Sequence, residues 1–168
     1  LVMGTRSGSI DPGAVLYLMG HADMSKNEVE VLLNRNSGLY GLSGSSNDMR
    51  DLLTDAAAGD DRARLAIDVF CYRIKTYIGS YFAVLNAADG IIFTGGIGEH
   101  APVVRALSCE SLSNLGINLD VEKNKAATGK EMEISAPDAK TKVWVIPTNE
   151  ELLIARDTLR TILGIEHH

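Results

Sequence analysis

Residues 91–99 read Ile91-Ile92-Phe93-Thr94-Gly95-Gly96-Ile97-Gly98-Glu99, and this stretch decides the fold class. An apolar run rich in β-branched and aromatic side chains predicts a buried strand over 91–94. The run breaks at Gly95, Gly96 and Gly98, and Glu99 opens a predicted helix reaching about Ser113. Pro102 fits such a helix only in its first turn. A strand that passes through glycines into a helix lets backbone N–H groups approach an anionic or nucleotide ligand without interference from Cβ atoms. The same residues also make a plain strand-to-helix turn. Their spacing matches neither the dinucleotide fingerprint nor the lysine-bearing phosphate loop. A second unit of the same kind follows: Val143-Trp144-Val145-Ile146 as a buried strand, a turn at Pro147-Thr148-Asn149, and a helix carrying Glu150, Leu152, Leu153, Ile154, Leu159 and Ile162. Two such units predict α/β layers around a central sheet.

Working outward, residues 1–11 read as a loop, followed by a short helix from Pro12 to about Met19. Ser25 stands three residues before Glu28, the spacing of a capping box, ahead of a helix that stops near Asn36-Ser37-Gly38. Residues 39–47 read as loop, and Asp48-Met49-Arg50-Asp51-Leu52 as a helical start. Asp60 to Leu85 is the strongest predicted helix. Leu65, Val69, Tyr72, Tyr81 and Leu85 join Ile67, Phe70, Ile74, Ile78 and Phe82, so burial is expected around most of it. Gly79 inside it predicts close packing or a break. A short strand near Gly116–Leu119 and an edge strand at Glu131-Met132-Glu133-Ile134 complete the expectation.

At 168 residues the chain suits one domain with a real core. Its 45% apolar and 23% charged content is ordinary for a globular protein. A net charge of −6 without a basic tract argues against nucleic acid or anionic membrane as partners. No apolar run nears the ~20 residues that span a bilayer, and no signal-peptide pattern opens the chain. Cys71 and Cys109 lack metal-ligand spacing and fall in predicted helices, which suggests buried free thiols and a reducing cytoplasm. The opening on Leu1-Val2-Met3 directly before Gly4-Thr5-Arg6-Ser7-Gly8 suggests a fragment, and Glu166-His167-His168 the stub of a purification tag.

Four sets of residues carry possible chemistry. Arg6, framed by small residues, has room to bind phosphate or carboxylate oxygens bidentately, or is a surface arginine in a turn. Asp48 and Arg50 suit a ribose and a base, and equally suit N-cap chemistry. Glu150 and Glu151 favour a helix dipole, and a carboxylate at a strand end also suits a hydrated Mg²⁺. His21 and His100 are isolated and receive no metal role.

Taken in order, these pieces resemble the acetate kinase family. Met3-Gly4-Thr5-Arg6-Ser7-Gly8 with Ile10-Asp11-Pro12 looks like the second half of a family signature. Ser37-Gly38-Leu39-Tyr40-Gly41-Leu42-Ser43, followed by Asp48-Met49-Arg50, is similar to the adenosine-site region. Phe93 to Glu99 and Ile146-Pro147-Thr148-Asn149-Glu150-Glu151-Leu152 look like the later nucleotide and metal motifs. The match is collinear from Leu1 to about Leu163. The family includes acetate and propionate kinases with near-identical motifs.

The resemblance implies an α/β, ribonuclease-H-like domain of the superfamily of sugar kinases, actin and heat-shock ATPases, two such domains enclosing ATP. Residues 1–163 would be the C-terminal nucleotide-binding domain and 164–168 a tail. The implied activity is reversible transfer of the ATP γ-phosphoryl group to acetate with Mg²⁺, giving acetyl phosphate, in a cytoplasmic homodimer; propionate and butyrate are alternative acceptors. By motif, Arg6 would stabilise the transferring phosphoryl group. Asp48, Met49 and Arg50 would line the adenosine pocket, Gly96, Ile97, Gly98, Glu99 and His100 would contact nucleotide, and Glu150 would help hold the metal. Ser9 and His100 depart from the family pattern, where aspartate and asparagine are common. The family's asparagine metal ligand, catalytic aspartate and phosphate-binding histidines are expected upstream of Leu1. A nucleotide-binding and dimer-forming domain without activity of its own is therefore a second reading, and an unrelated α/β domain a third.

Overall fold

The computed structural model describes residues 1–164; the suggested tag stub at 166–168 lies outside them. Nine α-helices and three strands follow in order among these residues: α1 (Pro12–His21), α2 (Lys26–Arg35), α3 (Gly38–Ser43), α4 (Met49–Ala57), α5 (Asp61–Leu85), β1 (Gly90–Phe93), α6 (Gly95–His100), α7 (Pro102–Cys109), α8 (Val121–Ala126), β2 (Met132–Glu133), β3 (Lys142–Val145) and α9 (Glu150–Leu163), with a 3₁₀ turn at Ser113–Leu115. The capping box at Ser25 and Glu28 forms as expected. Asp48 and Asp60 each cap the helix that follows them.

β3 lies in the middle of the sheet, with β1 parallel on one side and β2 antiparallel on the other. Phe93 pairs with Val145, so the two strand ends that feed the glycine turn and the 147–149 turn lie side by side. Phe93, Val143 and Val145 face a core with Phe82, Cys109, Ile117, Ala127 and Ile134. A second core joins Leu39, Leu52, Ile67, Phe70, Cys71 and Val104 across α3, α4, α5 and α7. Ile74 of α5 packs against both, so one helix of ~37 Å ties the two cores together. Burying a side chain such as Leu52 or Val143 contributes about 1.5–3 kcal/mol.

Several expectations are corrected. Residues 38–43 form a helix rather than a loop, because backbone carbonyls of residues 3–5 accept its first N–H groups. The helix expected from Glu99 to Ser113 begins at Gly95 and breaks at Ala101. Pro102 disfavours helical dihedrals at the residue before it and starts a new helix at its own position. The strand β1 is only half buried: Phe93 faces the core while Ile92 is 59% exposed, as the period of two dictates for an edge strand. The helix α5 buries one side only, leaving Leu65, Tyr72, Tyr81 and Leu85 exposed. Gly79 neither breaks it nor packs closely. Residues 116–119 give a single bridge, Leu119 to Ser135, and the polar stretch after them contains α8. Both cysteines are buried and free. Burial pushes the Cys71 thiol up to about 11 and that of Cys109 to about 12. Among the described residues no helix is long and apolar enough to cross a membrane.

Candidate functional site

The loop that carries Arg6 is held by its backbone. The carbonyls of Met3, Gly4 and Thr5 accept from the N–H groups of Leu39, Tyr40 and Ser37 at 2.9–3.0 Å, and Ser7 N–H donates to the Leu33 carbonyl at 2.8 Å. A helix start always leaves unpaired N–H groups, and here the loop pairs them. Gly38, at φ 62°, makes this possible, since a Cβ there would lie 2.8 Å from the Arg6 carbonyl oxygen and 3.0 Å from that of Gly4. The Arg6 side chain is exposed and takes part in no hydrogen bond or ion pair among the described residues. The backbone is fixed and the guanidinium is free.

Asp48, at the N-cap of α4, accepts from the Arg50 N–H at 2.9 Å and from the Arg50 guanidinium. That guanidinium holds the Asp48 carboxyl well below its usual 3.8, at about 2. Asp48, Met49 and Arg50 form one wall of a cleft of about 700 Å³ whose other wall is Gly96, Ile97, His100 and Ala101. Residues almost fifty positions apart thus meet across one space. Asn47 and Leu53 complete it, and the Asn47 side chain lies against Gly4 of the arginine loop, 3.3 Å from where a Cβ of Gly4 would sit. Gly95, at φ 71°, and Gly96 have open space where side chains would be, so a ligand can reach the backbone.

Gly98 and Glu99 are not part of the cleft wall. A Cβ at Gly98 would press on Phe93, and the Gly98 carbonyl accepts from Arg105 at 2.7 Å. The Glu99 carboxylate is buried and accepts from both the N–H and the hydroxyl of Thr148 at 2.9 Å. Those bonds, the Thr148 N–H foremost, keep its pKa low. Arg105 is fully buried, and its guanidinium also donates to the Glu99 carbonyl, the Asn124 carbonyl and Asn124 Oδ1. This clamp behind the glycine turn escapes sequence reasoning, because an arginine in an amphipathic helix reads as a surface residue. Asn47 and Ala101 also went unpredicted; their places beside Asp48 and His100 were the available signal.

Glu150, the first residue of α9, is exposed, and its carboxylate meets no partner among the described residues. No group of three metal-ligating side chains occurs among them. Mg²⁺ in phosphoryl-transfer sites takes one or two carboxylates plus phosphates and waters, and a single free carboxylate fits that donor set. Arg6 and Glu150 do not line the cleft; the loop of Arg6 reaches Asn47 through Gly4, and the turn before Glu150 is bonded to Glu99 through Thr148. A second cavity of about 580 Å³ between α7 and α8 gathers none of the predicted residues.

The chain is 54% identical over 164 residues to acetate kinase from Natranaerobius thermophilus, covering 98% of this chain and 41% of that one. It is 51% identical over 162 residues to acetate kinase from Dictyoglomus turgidum, covering 96% of this chain and 40% of that one. The Porphyromonas gingivalis acetate kinase crystal structure superposes with a TM-score of 0.89 at 42% identity, over 97% of this chain and 41% of the other. A propionate kinase from Francisella tularensis superposes with a TM-score of 0.85, also at 42% identity, over 93% and 39%. The α/β fold class expected from the motifs is therefore the one these kinases share. The chain spans about 40% of the length of the relatives it matches. A family profile, that of the Acetokinase family, matches residues 1–156, and the chain belongs to that family.

Proposed function

We propose that residues 1–163 are the C-terminal nucleotide-binding domain of a short-chain carboxylate kinase. That kinase moves the γ-phosphoryl group of ATP to acetate, reversibly, giving acetyl phosphate. The observation that carries this reading is the cleft joining Asp48, Met49 and Arg50 to Gly96, Ile97 and His100. Its volume suits a nucleoside, and its walls combine apolar surface with a few placed polar groups.

Phosphoryl transfer needs positioning and charge stabilisation more than covalent help from the protein. The Asp48 carboxylate, ionised and oriented by Arg50, accepts from ribose hydroxyls. The outward plane of Arg50 offers a stacking surface to the base, and the bare backbone at Gly95 and Gly96 admits the phosphates. Arg6 meets the equatorial oxygens of the group in flight, with a planar fork that matches them. Glu150 would hold Mg²⁺, which when bound neutralises phosphate charge.

Exposed apolar side chains support association with other protein surface. The helix α5 presents Leu65, Tyr72, Tyr81, Val84 and Leu85, and α9 presents Leu153, Ile154, Leu159 and Ile162. A homodimer, the upstream half of the kinase, or both would cover them. The buried free thiols suit a cytoplasmic protein. Hydroxamate trapping of acyl phosphate tests the reading, using the whole enzyme with ATP, Mg²⁺ and acetate, propionate or butyrate. Acetyl phosphate formed fastest from acetate is the expected result. A higher kcat/KM for propionate would move the assignment to the longer acid, and no acyl phosphate from any of the three would refute it.

A further inference from the structure

We propose that Glu99 is a positioning residue for Glu150, holding the Thr148 turn and through it the first turn of α9 at a fixed place beside the glycine turn. This rests on the metal role proposed for Glu150. A glutamate in the sequence Gly96-Ile97-Gly98-Glu99 invites a direct nucleotide contact, but one of its carboxylate oxygens is taken up by Thr148. Only 8% of Glu99 is exposed, and Oε1 takes both hydrogen bonds that Thr148 can donate, from N–H and from hydroxyl, at 2.9 Å. Its second oxygen faces His100 Nε2 at 3.9 Å, on the cleft side. The Glu99 backbone is held as firmly, its carbonyl accepting from Arg105 at 3.0 Å and from the Gly129 N–H at 3.2 Å. A buried carboxylate with two strong donors is a rigid anchor, because leaving either donor unpaired is costly.

The other end of the link needs such an anchor. No residue of α9 is buried, so within this chain apolar packing does not fix where the helix begins. What remains is polar: Ile146 N–H to the Phe93 carbonyl at 3.0 Å, the Asn149 side chain capping Leu152 N–H, and the Thr148–Glu99 pair. Glu150 follows Thr148 by two residues, so the pair sets its distance from the glycine turn. A nucleotide gripped at Gly96 and a metal gripped at Glu150 are thereby held in one frame by a residue that touches neither.

The test uses the whole enzyme with Glu99→Ala, Glu99→Gln, Thr148→Val and Glu150→Ala, with melting curves to confirm folding. Mn²⁺ binding in the presence of ADP is read by electron paramagnetic resonance, and metal-free ADP binding by calorimetry. Support lies in these readouts together. Glu99→Ala and Thr148→Val each weaken Mn²⁺ about tenfold, the scale typical of outer-shell partners. They leave metal-free ADP affinity unchanged, and the double variant is no worse than Glu99→Ala. Glu99→Gln, which keeps the acceptor oxygen, stays near wild type. If Glu99→Ala does not fold, Thr148→Val decides alone. A loss of metal-free ADP affinity in Glu99→Ala with Thr148→Val silent makes Glu99 a nucleotide contact and overturns the proposal. Glu150→Ala separates the two ideas. Unchanged Mn²⁺ binding there removes the metal reading itself, whereas weakened binding there with Glu99→Ala and Thr148→Val silent removes only the positioning role.

Discussion

Arg6 has a fixed backbone and a guanidinium without a partner among the described residues, and the role proposed for it is to meet charge that appears only during reaction. Interactions made only in the transition state act on kcat. Arg6→Ala in the whole enzyme should therefore lower kcat by about 10²–10³ while nucleotide KM changes little. Arg6→Lys should recover little, since it restores charge without the planar fork. Steady-state kinetics at saturating Mg²⁺ checks both. Asp48 makes a pH prediction. Bonded to the Arg50 guanidinium and its N–H, the carboxyl titrates at about 2 rather than 3.8. The folded state thus binds the proton more weakly than the unfolded chain does. Its stabilising contribution is complete above about pH 4 and is lost as pH falls from there towards 2. Carbon-detected NMR titration should show the low midpoint, and Asp48→Asn should flatten the stability profile in that window alone.

Among the elements, α3 is the clearest case of a helix made by its surroundings. Residues 38–43 contain two glycines and a serine, a poor helix by propensity. The carbonyls of Met3, Gly4 and Thr5 supply the acceptors its first turn lacks, and Leu39 plugs the core. Gly38→Ala places a Cβ against the Met3, Arg6 and Gly4 carbonyl oxygens at a positive φ. It should cost about 1–3 kcal/mol in urea unfolding. It should also lower kcat, because the arginine loop and α3 share these bonds. A wild-type kcat in a folded Gly38→Ala enzyme would show that the loop does not depend on α3. The break between α6 and α7 is the opposite case, since Pro102 predicts it locally once the helix is allowed to start at Gly95.

For the molecule as a whole, half of the nucleotide contacts and none of the upstream catalytic groups are expected within these residues. The 168-residue chain alone should bind ADP with a Kd of ~0.1–1 mM, since half a site forfeits contacts and domain closure. Amide signals of Gly96 and Ile97 should shift on titration. The same chain should form no acetyl phosphate at the ~1–100 s⁻¹ usual for kinases, because groups that act together fail together. Shifts confined to the α7–α8 cavity would redirect the binding site there.

Much of this was legible in the chain itself. The apolar run Val143-Trp144-Val145-Ile146, the helical start at Asp48 and the Ser25–Glu28 box are local signals with local causes, and the strand, the helix and the capping box form, whereas the glycines after Phe93 open a helix rather than a plain turn. Of the candidates that the family resemblance implies, Asp48, Met49, Arg50, Gly96, Ile97 and His100 share one cleft, while Arg6, Gly98, Glu99 and Glu150 lie outside its walls. Tertiary structure decided what periodicity cannot carry. Apolar content in α5 says that a helix forms, not which face meets a partner, so Tyr72 and Tyr81 were expected inside and lie outside. A buried arginine depends on acceptors brought from Gly98, Glu99 and Asn124, and a carboxylate's direction depends on a threonine 49 residues away. Sequence determines which groups are available, because capping, turn and strand chemistry act over a few residues. Only the packed chain decides which of them face one another, because hydrogen bonds and burial depend on distance in space.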